Sequence, residues 1–281
     1  MNKKYDLTIL IPGIRTSNWL RLYNSLKTSC KQYTWELVFV SPFDLPKEFK
    51  ADENVRLIKD FGTIPRCVQK AVPFLNSDIF YLTVDDCYFS EDSIDYAVNL
   101  YKSKCNIKDV VSVSYGEGGN LMDSKYWTVA FHPDLNRLPG IPKNYKIANQ
   151  CIINKECFIE LGGFDCLTFE YMDKPIHDFM FRLQKSGGNI VHSDKHACIA
   201  TWYPGEVGDH SPVHHAQVDH DEPIFIQMYL DPDILNRRVK IDYDNWKQSP
   251  AVWKRRFPFE IPSSYEELCV KQNYDFSNVK K

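Results

Sequence analysis

Four short, nearly continuous apolar runs divide the first 86 residues: LTILIPG at 7–13, WELVFVSP at 35–42, VRLIKDFG at 55–62 and DIFYLTVDD at 78–86. Runs of this length bounded by turn residues read as buried strands. Between the first two, NWLRLYNSLKTSC (18–30) places Trp19, Leu22, Tyr23 and Leu26 at helical spacing. Between the last two, IPRCVQKAVPFL (64–75) enters a helix through Pro65, which suits a first helical turn. Strands that alternate with helices predict an α/β fold, a Rossmann-like mixed, mostly parallel sheet flanked by helices, with ligand at the carboxyl ends of its strands.

The pattern continues with a helix over 91–104, which sets Ile94, Ala97, Val98 and Tyr101 on one face, and a strand over 109–116. Gly and Pro then become frequent as far as PDLNRLPGIPKN, and order returns at NQCIINKECFIELGGFD (149–165). Gly162 and Gly163 break one helix; Asp173 and Pro175 open the next, which buries Phe179, Met180 and Leu183 before Gly187 and Gly188 stop it. We therefore expect a functional seam near residue 115 between two halves, 1–115 and 116–223, a polar His/Asp loop over 204–223, and a C-terminal extension over 224–281.

With 281 residues and 43% apolar composition, the chain can bury a sizeable core. A formal net charge of -3 argues against a nucleic-acid partner. The nine cysteines form no CxxC, as expected of free thiols in a reducing compartment. MNKKYDLTILIPG is too short for a signal peptide, and no window approaches the roughly 18 apolar residues of a membrane span. A soluble, cytoplasmic protein is expected.

Against that background, the end of the fourth strand stands out. Asp85 and Asp86 are adjacent, so while the chain stays extended their side chains point to opposite sides and serve different ends. Two carboxylates there repel one another and resist desolvation unless a cation or donor groups compensate them. A hard divalent ion, with a substrate diphosphate completing its oxygen shell, meets that need. Asp at a turn or helix cap is the plainer alternative.

TILIPG, WELVFVS, DFGTIPRCVQKA and FYLTVDD, in this order, resemble the nucleotide-sugar-binding half of GT-A glycosyltransferases, particularly family 2. The resemblance spans roughly residues 5 to 200 and implies a glycosyltransferase. By it, the Asp pair is the DxD motif: Asp86 binds Mn²⁺ or Mg²⁺ across the donor's diphosphate and Asp85 approaches the ribose. Pro12, Gly13 and Arg15 match the loop beneath the nucleotide, and Gly62, Arg66 and Gln69 match the donor-facing stretch before the motif. Where the family has an Asp after the second strand to read the base, this chain has Ser41, with Asp44 three residues on. For Pro12, Arg66 and Gln69 the alternative is a strand stop, a solvated charge and a plain helix residue.

The same resemblance extends to the second half, where GGFD leads into an acidic pair at a helix start. Here that pair is His177-Asp178, which makes Asp178 the general base with His177 beside it; Asp165 and Glu170 become acceptor-binding candidates. The alternative for Asp178 is an i,i+4 ion pair with Arg182. A His from a later loop completes the metal shell in many such enzymes, and the resemblance points to His210, with His214 second. Imidazole favours Mn²⁺.

The implied reaction is metal-dependent, inverting transfer of a sugar from a nucleotide-sugar donor to a glycan, lipid-linked or protein acceptor. A nucleotidyltransferase competes, though PGIRTSNW has one Gly and one Arg where a triphosphate-holding loop needs more. A binding protein that kept the fold and lost turnover is the third reading. A zinc hydrolase lacks HExxH or comparable spacing. The segment 245–268 mixes Trp246, Trp253, Phe257 and Phe259 with Lys254, Arg255 and Arg256, a composition suited either to packing on the domain or to peripheral membrane contact near a lipid-linked acceptor.

Overall fold

The computed structural model describes residues 4–49, 52–60, 62–117, 120–122, 135–200, 216–241, 262–264, 267 and 270. Its described strands form one nine-stranded sheet of β1 (Leu7–Pro12), β2 (Trp35–Ser41), β3 (Val55–Lys59), β4 (Ile79–Leu82), β5 (Cys87–Phe89), β6 (Val110–Glu117), β7 (Asn120–Met122), β8 (Cys151–Asn154) and β9 (Ile190–Ala200), in the order β3-β2-β1-β4-β8-β6-β9-β5 with β7 on β6. Strands β3, β2, β1 and β4 are mutually parallel. β8 then runs antiparallel to β4, and β9 runs parallel to β6. The mixed α/β sheet expected from the apolar runs is present.

Helices cover both faces. On one lie α1 (Thr16–Ser29) and α3 (Ser93–Lys104), whose Trp19, Leu22, Leu26, Ile94 and Val98 pack with Leu7, Ile9 and Ile11 of β1. Trp19 stacks on Phe39 with ring centroids 4.0 Å apart. On the other lie α2 (Ile64–Ala71), α4 (Lys155–Glu160) and α5 (Asp173–Lys185), where Val68, Phe158, Phe179 and Met180 meet Leu10, Phe80 and Ile153. Residues 9 and 11 face one cluster and residue 10 the other, as the alternation of side chains along a strand requires.

A third cluster gathers Ile147, Phe169, Phe181, Phe225 and Tyr229. The last two come from α6 (Glu222–Tyr229), which follows a π-helical turn at Ala216–Asp221. Thus 216–223, expected as part of a polar loop, is helical. Its helix carries across residue 224 into the segment read as an extension, burying Phe225 and Tyr229 completely. No helix among the described residues is long and apolar enough to cross a membrane. Seven cysteines among the described residues are free thiols.

Parallel pairing of β1, β2, β3 and β4 brings their carboxyl ends to one edge of the sheet. That edge collects Pro12 to Arg15, Ser41, Asp60 and the Asp85-Asp86 pair.

Candidate active site

Asp85 and Asp86 lie just beyond β4 and are both buried, with 1% and 6% exposure. The charge that compensates them is Arg15. Asp85 Oδ2 accepts from the backbone N–H of Ile14 and of Arg15, each at 2.7 Å. Its Oδ1 accepts from Arg15 Nε at 2.7 Å and lies 2.7 Å from Arg15 Nη2. The same guanidinium reaches Asp86 through Nη1 at 3.0 Å. The loop after β1 is thus wrapped around Asp85, and Gly13 permits it. A Cβ at residue 13 would come within 2.6 Å of the Asp85 Cβ. One guanidinium is thus shared between the two carboxylates.

Neighbouring strand ends supply further polar groups. Ser41 is buried, and its Oγ accepts from the N–H of Phe43. Asp44 is exposed and pairs with Lys59 at 2.7 Å. Asp60, at the end of β3, was not singled out by the sequence reading. It is 3% exposed, donates its N–H to Ser41 O, and its carboxylate meets Gly62 N, Lys70 Nζ and Arg66 Nε. The signal was available, since an Asp directly after a parallel strand sits at the ligand edge. Gly62 and Arg66, expected at the donor, are both engaged with Asp60.

Gln69, expected at the donor, is held by the chain itself. It is 1% exposed, and its amide NH₂ donates to Gly162 O at 3.1 Å and Phe164 O at 2.9 Å. Those donors lock α2 to the turn after α4. Gly163, at φ +61°, is required there because a Cβ would collide with the Gln69 amide.

On α5 the two expected catalytic residues are buried. Asp178, proposed by resemblance as the base, has 0% exposure. It accepts from Arg182 Nε at 2.9 Å, from Tyr229 OH at 2.6 Å and from Arg237. Burial alone would raise its pKa; the guanidiniums of Arg182 and Arg237, with the Tyr229 hydroxyl, outweigh that and hold it below the ordinary carboxylate value. In this conformation no acceptor hydroxyl can reach it. His177, also buried, places Nε2 3.5 Å from Asp173 Oδ1. Asp173 begins α5, lies 2.9 Å from Lys174 Nζ, and keeps 24% of its side chain exposed.

Asp165 caps its own turn through Thr168 N and lies 3.5 Å from Arg237. Glu170 is buried, its carboxylate 3.7 Å from His220 Nε2. The N–H groups of Glu170 and Tyr171 donate to Asp221 at 2.8 and 2.7 Å. Burial raises the pKa of Asp221 despite those bonds. Tyr229 and Arg237, which tie α5 to α6 and to the segment after it, escaped the sequence reading because they lie 51 and 59 residues from Asp178.

For a divalent cation, the chemistry of the corner fits. Asp86 is a hard carboxylate at a strand end, and its partner guanidinium stands where a positive charge is needed. Among the described residues no group of three or more His, Cys, Asp or Glu could hold a metal by itself, so substrate oxygens or other residues would complete the shell. His210 and His214 lie outside the described residues, as does most of 245–268.

Solved structures supply the comparison. TarS of S. aureus in complex with UDP superposes with a TM-score of 0.53 at 14% identity, over 83% of this chain and 71% of that one. The chain has the GT-A fold. TarS in complex with UDP-GlcNAc gives 0.52 at 12% identity, over 80% of this chain and 70% of that one. GalNAc-T7 with UDP, GalNAc and Mn²⁺ gives 0.50 at 12% identity, over 77% of this chain and 52% of that one. No protein-family model and no curated protein sequence matches the chain.

Proposed function

We propose that the protein is a glycosyltransferase that moves a sugar from a nucleotide-sugar to an acceptor hydroxyl with inversion. The observation that carries this is the buried Asp85-Asp86 pair, held by Arg15 at the edge where four parallel strands end. Structures of the same fold with UDP, UDP-GlcNAc, or UDP and Mn²⁺ support it. The donor's diphosphate would lie against Arg15 and Asp86, its nucleoside along Pro12, Gly13, Ser41, Asp44 and Asp60. Asp86 would hold Mn²⁺ or Mg²⁺, with His210 or His214 as a further ligand. When bound, that cation neutralises the charge that develops on the departing diphosphate.

In the transfer itself, the acceptor oxygen bonds to the anomeric carbon as the carbon–oxygen bond to the diphosphate breaks. The acceptor's proton passes to a carboxylate within hydrogen-bond reach. Asp173 is the carboxylate of α5 with open surface, and His177 Nε2 stands 3.5 Å from it. Asp178 then serves as the ionic anchor of that helix. Glu170, with Asp165 beyond it, lies in the segment leading into α5, on the acceptor's side. On this reading residues 1–115 form the donor half, and α6 is built into the acceptor half ahead of the remaining extension.

A panel of nucleotide-sugars with Mn²⁺, scored for release of nucleoside diphosphate, tests the reading. Release that is lost in Asp86→Asn and cut at least tenfold in kcat by Asp173→Asn supports it. Release of pyrophosphate would instead mark nucleotidyl transfer. Binding of a nucleotide-sugar with no product from any acceptor would mark a protein without turnover.

A further inference from the structure

A buried amide is ordinarily hydrogen-bonded, and Gln150 is not. The residue is 5% exposed, and its Oε1 is shut off from solvent with no hydrogen-bond partner among the described residues. The Oδ1 of Asn149, next to it, is in the same condition. An amide oxygen kept dry and unpaired works against folding, so its retention at a given place calls for a use there.

Sheet register fixes that place. β8 runs antiparallel to β4, with Leu82 opposite Cys151, and antiparallel to β6, with Ser112 opposite Cys151. One residue further, the sheet still holds: Gln150 O accepts from Val113 N–H at 3.0 Å, and Thr83 N–H donates to Leu10 O at 3.3 Å. Gln150 is therefore level with Thr83, one strand over and two residues before Asp85. It stands where the donor half, ending at β4, meets the acceptor half, beginning across β8 and β6. A sugar that passes from a diphosphate at Asp86 to an acceptor has to lie across that junction.

The chemistry of the group narrows what it meets. An amide offers an acceptor oxygen and a donor NH₂ side by side, and a sugar hydroxyl both donates and accepts. An acetamido N–H also serves the oxygen. A phosphate at neutral pH brings acceptors and leaves the amide oxygens unpaired, so the diphosphate is not their partner.

We infer that Gln150, with Asn149 beside it, reads the sugar of the donor: its amide exchanges hydrogen bonds with hydroxyl or acetamido groups of the ring and sets sugar selectivity without holding the nucleotide. This rests on the donor site proposed above and assigns the part of the substrate that Arg15, Asp86 and the nucleoside-binding residues leave unread. The free protein keeps an unpaired amide, and the bound sugar pairs it.

The test measures affinity by calorimetry on the full-length protein with Mn²⁺, for UDP and for UDP-glucose, UDP-galactose, UDP-GlcNAc and UDP-GalNAc, together with melting of the ligand-free protein. Gln150→Met keeps the shape and drops the amide. It should melt no lower than the parent, bind UDP within about twofold of it, and lose about tenfold in affinity for the parent's tightest UDP-sugar, the worth of one buried hydrogen bond. Gln150→Ala should lose as much of the sugar's share and serves if the Met variant does not fold. The inference fails if the affinity ratio of UDP-sugar to UDP stays as in the parent, or if UDP and UDP-sugar weaken equally. It fails also if Gln150→Met melts well below the parent, since the amide is then paired inside the fold, through buried water or otherwise; in each of these cases UDP binding by the parent leaves the donor site standing. If the parent binds neither UDP nor any of the four UDP-sugars, the donor site falls and this inference with it.

Discussion

Two buried aspartates, each facing arginine, behave as opposites in this molecule. Asp178 lies inside packed helices, where Arg182 from its own helix, Arg237 from a distant segment and the Tyr229 hydroxyl converge on it. Asp86 lies just past the end of a strand and shares the Arg15 guanidinium with Asp85. The first is ringed by donors inside packed helices; the second stands at the carboxyl end of the parallel strands with 6% of its surface exposed. A carboxylate surrounded on all sides anchors a fold, whereas one at the carboxyl end of a parallel sheet is placed for a ligand.

The contrast predicts opposite phenotypes. The largest expected effect on stability comes from Asp178→Asn, which leaves the buried Arg182 guanidinium and the part-buried Arg237 guanidinium without their carboxylate and should cost about 3–5 kcal/mol. Asp86→Asn removes a charge that repels Asp85 and should leave stability within about 1 kcal/mol of the parent. Urea unfolding of both variants checks the pair, and comparable losses would erase the distinction.

Gly13→Ala comes next. A methyl group would press on the Asp85 carboxylate, so about 1–3 kcal/mol of overpacking is expected, together with weaker UDP binding, because the same loop carries Arg15. Tyr229→Phe sharpens the account of the sealed corner. It removes one donor to a charged acceptor and should cost about 1.5 kcal/mol with no change in UDP affinity.

The smallest effect is in the pH dependence. Because the pKa of Asp178 is depressed in the folded protein, its contribution to stability is present above the unfolded value of about 3.9 and is lost as pH falls through the folded value. Denaturant midpoints for the parent should therefore fall on acidification below about pH 4, more steeply than those of Asp178→Asn. Parallel curves would mean that Asp178 does not carry this linkage.

What the sequence disclosed divides along the same line. The parallel half was readable because β1, β2, β3 and β4 are continuous apolar runs closed by turn residues, and because the Asp pair breaks such a run abruptly. The i,i+4 relation of Asp178 and Arg182 was readable too, since helical periodicity alone places them together. Strand β9 was not. Its sequence IVHSDKHACIA is studded with polar residues, and its pairing with β6 carries register shifts. Strand β5 has only three residues, too few to show alternation. The helix EPIFIQMY is apolar with little facial contrast, so nothing local tells that Phe225 and Tyr229 are the buried pair. The contacts of Gln69 were hidden for a simpler reason: an amide that clamps two carbonyls and one that faces a ligand look alike in sequence. Arg237 gave no signal because its partner is distant along the chain.

Crystals grown with UDP and Mn²⁺ provide the most direct measurement, because the anomalous scattering of manganese locates the ion independently of the side chains around it. A single peak bonded to the Asp86 carboxylate and to the diphosphate is the expected result. UDP bound elsewhere on the molecule, or bound at the strand ends with no manganese on Asp86, would contradict the account.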